Sequence, residues 1–181
     1  MSNNKNNKTG ITFSGKELEN HLVSSIPELR HNSDESAKGK KKGDLVIEVD
    51  GKDEYVEVKT NSTNQTRPVH YIPLVVHHLA PGYLVIPASV LVERCLKEDG
   101  FLRSSQHGGS PLDNTSFGPA TTGWMAAYAC PLGDIASRLS EYIRQDKKRT
   151  DLIDLLDYHK AVQAAANLKV CEALTKVRNK S

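Results

Sequence analysis

The sequence predicts an α/β fold: a mixed central β-sheet flanked by helices, followed by a helical C-terminal extension of the same domain. Three observations predict it. A helical stripe at residues 13–25 precedes a strongly alternating hairpin at 45–59. A second apolar group follows at 69–86. Residues beyond 130 are rich in helix formers. The chain has 181 residues, 38% of them hydrophobic and 25% charged, which suits one domain with its own core.

Each element has a local reason. In the first helix, 13–25, Leu18, Leu22 and Ile26 recur every fourth residue. Ser14 is a candidate N-cap, Glu17 completes a capping box, and Pro27 ends the helix. Residues 30–43 are polar and read as a loop. From 45 to 49, Leu45, Ile47 and Val49 alternate with Val46 and Glu48, the period of a strand. Asp50-Gly51-Lys52-Asp53 is a hairpin turn signal, and 55–59 is the returning strand. Residues 61–67 read as a polar loop. Residues 69–78 are apolar with a period that fits strand or helix. Residues 83–86 read as a buried strand and 89–97 as a helix capped by Ser89. The stretch 100–123, rich in Gly, Ser, Pro, Asn and Thr, is a long polar loop, and such loops are functional or disordered. Residues 130–145 and 151–177 read as helices, the last with Leu152, Leu155, Leu156, Val162, Ala166, Val170 and Leu174 as a packing stripe. The organisation expected is thus a disordered polar lead over 1–12, a core over 13–130 and the helical extension over 131–181.

Composition narrows the function. No apolar run approaches the ~18 residues of a membrane span. The first eight residues are polar and Asn-rich, unlike a secretory signal. Cys95, Cys130 and Cys171 form no CxxC pair, which speaks against a zinc knuckle and for free thiols in a reducing, cytoplasmic setting. Cys95 and Cys171 lie in apolar patterns, where cysteine acts as a small hydrophobe. Aromatics at 6% argue against a stacking single-strand binder. Net charge is only +2, but it is clustered: Lys38, Lys40, Lys41 and Lys42 lie together, and Lys147, Lys148 and Arg149 form a second run.

The first basic run leads directly into the residues with chemical potential. Folding 44–59 at its turn brings Asp44, at the start of one strand, close to Glu57 and Lys59 on its partner. Glu57 and Lys59 are two apart and share a face. Two carboxylates beside an ammonium suit a hard divalent cation: Mg²⁺ takes one or two carboxylates and completes its shell with water and phosphate oxygens. A neighbouring Lys can orient water or stabilise an anionic transition state.

This stretch resembles the PD-(D/E)XK motif of restriction-endonuclease-like nucleases, as Asp44, twelve residues, then Glu57-Val58-Lys59. The likeness covers roughly residues 13–87, and Gly43 stands where the motif's name has Pro. It implies a restriction-endonuclease-like core, with the acid opening the second strand, the E-x-K on the third, and 69–78 as the helix that follows. It implies one or two Mg²⁺ per site held by Asp44 and Glu57, catalysis by Asp44, Glu57 and Lys59, and a helix carboxylate near the metal, for which Glu17 is preferred over Glu19. The activity it implies is sequence-specific hydrolysis of duplex DNA, as in a type II restriction enzyme. A structure-selective nuclease such as a Holliday-junction resolvase, or a non-catalytic DNA-binding subunit, are the alternatives.

Candidate DNA contacts are Lys40, Lys41 and Lys42, then Asn61, Gln65, Arg67 and Tyr71 after the E-x-K, and Gln106 and His107 in the polar loop, whose side chains suit phosphates or base edges. His70, His77 and His78 are poor ligand candidates for a cation that prefers oxygen. Trp124 and Tyr128 read as core. Two DNA strands call for two active sites. A homodimer is the simplest supply, with helix 151–177 as a docking surface.

Overall fold

The computed structural model describes residues 13–33, 43–60, 65–66, 68–77, 82–97, 115–116 and 122–178. Helix α1 (Gly15–Ser25) begins with the capping box its sequence encodes. The Glu17 N–H donates to Ser14 Oγ at 3.4 Å, and the Ser14 N–H donates to the Glu17 carboxylate at 2.7 Å. Strand β1 (Leu29–His31) follows at once, inside a stretch the sequence reading leaves largely as loop. Strands β2 (Leu45–Val49) and β3 (Lys52–Thr60) form the expected hairpin. Its two-residue turn places Asp50 at φ 55 and Gly51 at φ 74, the left-handed pair that matches strand twist.

Beyond β3 come β4 (Gln65–Thr66), a 3₁₀ turn at Pro68–His70, β5 (Leu74–His77) and β6 (Tyr83–Ile86). The ambiguous segment is therefore a strand preceded by a turn, not a helix. Pro73 forces an extended residue before it, and Val75 and Val76 are β-branched. The sheet has order β1-β2-β3-β5-β6, antiparallel except for the parallel pair β3/β5. Separately, β4 pairs antiparallel with β7 (Thr115–Ser116), so part of the long polar stretch is tied beside the segment that follows Lys59.

Helices cover both faces. On one, Leu18 and Leu22 of α1 and Leu139 and Ile143 of α4 (Ile135–Asp146) pack with Leu45, Ile47, Val56 and Val58. On the other, α2 (Ala88–Lys97) and the first turns of α5 (Thr150–Arg178) bury Leu91, Val92, Cys95, Leu152 and Leu156 against Leu74, Val76, Leu84 and Ile86. Met125, from the one-turn helix α3 (Thr122–Met125), joins this second cluster, and Trp124 and Tyr128 pack against it with their rings edge to face with each other. The helical region starts later than residue 130, because residues 129–130 run along β6. Leu84 bridges Ala129, and the Cys130 N–H donates to Tyr83 O at 2.9 Å.

Two polar ties hold the hairpin and α2 to α4. The Arg144 guanidinium grips Asp50 at 2.9 and 3.1 Å and holds its carboxyl below the ordinary range. Asp146 is buried and accepts from the Ala88 N–H at 2.7 Å and the Ser89 N–H at 3.3 Å, which satisfies donors at the start of α2. Burial pushes its carboxyl above the ordinary range. None of the three cysteines is in a disulfide. Cys95 and Cys130 are buried, but Cys171 is exposed on α5, so it is not the core hydrophobe that its pattern suggests.

Candidate active site

The site is built from the backbone outward. Gly43 adopts φ +82, and its Cα lies so close to β3 that an added Cβ would stand 2.8 Å from Val56 O. The Asn32 side-chain amide donates to Gly43 O at 3.1 Å, and the Asn32 N–H donates to Asp44 O at 3.2 Å. The Asp44 N–H in turn donates to Val56 O at 2.8 Å. Asp44 is thus gripped from β3 on one side and from the end of β1 on the other. With Leu45 paired to Val56, Asp44 stands across from Glu57.

The side chains then converge. Asp44 Oδ2 accepts from the Val58 N–H at 2.9 Å. Lys59 Nζ lies 3.6 Å from Asp44 Oδ2, pairs with Glu57 Oε1 and donates to Val58 O at 3.1 Å. All three side chains are half-buried. Glu57 and Lys59 alternate with Val56 and Val58, so they face away from α1 and α4. On that face the buried cluster draws its strand residues from β5 and β6, which leaves the β2–β3 half to this polar group.

The ammonium stands where two like charges meet, the position in which a cation relieves their repulsion. With two carboxylates and one ammonium, the group keeps one net negative charge. Its donors are hard oxygens, so Asp44 and Glu57 fit Mg²⁺. Among the described residues no group of three or more His, Cys, Asp or Glu gathers as a metal cage, so an ion held here would complete its shell with water and substrate oxygens.

Glu17 does not join this group. Its carboxylate closes the α1 cap, and α1 packs on the opposite face of the sheet from Glu57 and Lys59. Glu19 also stays with α1, where Oε2 lies 4.0 Å from His31 Nδ1. The α1 register explains the first: burying Leu18 and Leu22 turns Glu17 to solvent.

Lys38, Lys40, Lys41, Lys42, Asn61, Arg67, His78, Gln106 and His107 lie outside the described residues. Gln65 lies in β4, with its backbone paired to Ser116. The Tyr71 hydroxyl donates to Asp146 O at 3.1 Å, which gives it a packing role. His77 sits in a ring cluster with Phe13 and Tyr83, at 4.9 and 5.0 Å. Asn32 and Gly43 escape the sequence reading. The one available signal is a Gly directly before the acid, and its positive φ is visible only in three dimensions.

Comparison with protein-family models, with curated proteins and with solved structures found no match. What stands is an α/β protein with a five-stranded mixed sheet flanked by helices. Among the described residues no helix is long and apolar enough to cross a membrane.

Proposed function

We propose that this chain is a Mg²⁺-dependent endonuclease with a restriction-endonuclease-like core, hydrolysing phosphodiester bonds of duplex DNA at specific sequences. One observation carries the reading: Asp44, Glu57 and Lys59 converge on one half of a sheet face, with Lys59 Nζ 3.6 Å from Asp44 and paired to Glu57. The acid stands immediately before the second strand and the E-x-K lies on the third, the placement the motif implies. One feature runs against the resemblance: a 3₁₀ turn and a strand occupy the place where a helix would follow β3.

Hydrolysis adds a water oxygen to phosphorus and releases one ester oxygen. Mg²⁺, when bound, supplies positive charge that acidifies water and offsets phosphate charge. Asp44 and Glu57 are the residues to hold it. Asp44 accepts from the Val58 N–H at Oδ2, which orients its carboxylate. Lys59 stands beside both carboxylates, placed to donate to the attacking water or to a non-bridging phosphate oxygen. A preorganised charged donor of this kind contributes about 10²–10³ in rate. The pairing of β4 with β7 ties Thr115–Ser116 to Gln65–Thr66, which follow the E-x-K in the chain, and the polar residues that flank both in sequence suit base contacts.

The test is incubation with a large, sequence-diverse linear DNA, with Mg²⁺ or with EDTA, read on a gel. Discrete fragments only with Mg²⁺ support the reading. A smear points to a non-specific nuclease. Intact duplex with a cut four-way junction points to a structure-selective nuclease, and no cutting of either points to a non-catalytic DNA-binding subunit.

A further inference from the structure

Helix α5 carries more apolar surface than the body of the protein covers. Leu152 and Leu156 are buried against the sheet and α2. From Asp157 onward, every α5 residue whose burial is described is exposed, except the half-buried His159. At 1.5 Å per residue, that leaves roughly 33 Å of helix beyond its docked turns. Tyr158 is 69% exposed, Leu168 61% and Val162 49%. Between residues 161 and 174 the polar side chains are Gln163, Asn167, Lys169 and Glu172, and the rest are Ala, Val, Leu and Cys. A helix apolar on most sides belongs in a protein interior or interface, not in water.

Charge says what covers it. The first part of α5 holds Asp151, Asp154 and Asp157 against Lys160. The last part holds Lys169, Lys176 and Arg178 against Glu172. The helix is therefore acidic at its start and basic at its end, with apolar surface between. Its complement is the same helix reversed. An antiparallel pair sets acidic end on basic end and opposes the two helix dipoles, whereas a parallel pair sets like charge on like. We propose that α5 pairs antiparallel with α5 of a second copy of this chain. The pairing stands independently of the cleavage chemistry. If the endonuclease reading holds, it also supplies a second active site for the second strand.

Sedimentation velocity of the full chain, without DNA or metal, over a wide concentration range tests this. The wild type is expected to dimerise, and Leu168→Glu to be monomeric at the same concentrations. Asp154→Lys/Asp157→Lys, and separately Lys169→Glu/Lys176→Glu, are each expected to raise the dimer dissociation constant about tenfold or more, since several exposed pairs turn from attraction to repulsion. All four changes in one chain restore opposite charge in an antiparallel pair and are expected to bring dimerisation back to within about threefold of wild type by the same pair energies. A monomeric wild type overturns the proposal. So does a dimer indifferent to Leu168→Glu, and so does a fourfold variant no better than the doubles. Far-UV circular dichroism of the fourfold variant separates lost pairing from lost folding. Asp44→Ala is expected to dimerise as wild type does, so a failure of the cleavage reading leaves this result intact.

Discussion

Replacing Gly43 by alanine perturbs the site without touching a charged group. The new Cβ would stand 2.8, 3.0 and 3.1 Å from the O, N and C atoms of Val56. All three belong to the β3 backbone, so no side-chain rotation relieves the clash. The φ of +82 adds about 1–2 kcal/mol for any residue with a Cβ. Relief requires the chain at Gly43 to part from β3, which weakens the 2.8 Å bond from the Asp44 N–H to Val56 O, worth about 1 kcal/mol. The sum is roughly 2–3 kcal/mol, or a Tm fall of roughly 5–10 °C for a domain of this size. Asp44 moves with the backbone, and a shift approaching 1 Å in a reacting group costs roughly a hundredfold in rate. Cutting by Gly43→Ala, assayed well below both melting temperatures, should fall roughly ten- to a hundredfold. Gly43→Pro should be worse, because proline locks φ near −65°, even though the motif is named for a proline at this place. A Gly43→Ala protein that melts and cuts as wild type does would refute the account of how Asp44 is held.

Other perturbations have equally definite outcomes. Lys59→Met removes the cation between Asp44 and Glu57, and cutting should fall about 10²–10³-fold while DNA binding persists; unchanged cutting removes Lys59 from the chemistry. Asp146→Ala strips the acceptor from the Ala88 and Ser89 N–H groups and should cost about 2 kcal/mol, seen as a lower Tm with cutting retained at low temperature. The Arg144 guanidinium depresses the Asp50 carboxyl, so this pair stabilises the fold above the ordinary carboxylate range and ceases to as pH falls through the depressed value. Arg144→Met should therefore differ most from wild type near neutrality and converge with it in acid, and a gap constant across pH in melting experiments contradicts the pairing. Replacing Lys40, Lys41 and Lys42 by alanine should weaken DNA binding and flatten its salt dependence by about 0.9 in log–log slope for each phosphate these lysines neutralise.

The hairpin was legible because each of its signals is local. Alternation marks the two strands and Asp50-Gly51-Lys52-Asp53 the turn between them; the structure narrows that turn to Asp50-Gly51, starts β3 at Lys52 rather than at 55, and so places Asp44 across from Glu57. The α1 cap was legible for the same reason. Strand β1 was not, since three residues carry no period, and its pairing with β2 is a tertiary fact. Residues 69–78 carry no period that chooses between strand and helix, and Pro73 with two valines decides for a strand at Leu74–His77. Glu17 shows the limit of reading roles from spacing. The same residue that completes a capping box has no carboxylate left to aim elsewhere, and the face it lies on follows from Leu18 and Leu22 meeting the sheet. The β4–β7 pair joins residues about fifty apart, which no local pattern announces.

The central claim is that Asp44 belongs to a catalytic cation site. The most direct measurement compares wild type and Asp44→Ala on the same DNA, scoring cleavage in Mg²⁺ and binding in Ca²⁺. The variant is expected to lose cutting and keep its affinity for DNA. Equal cutting by the two proteins would contradict it.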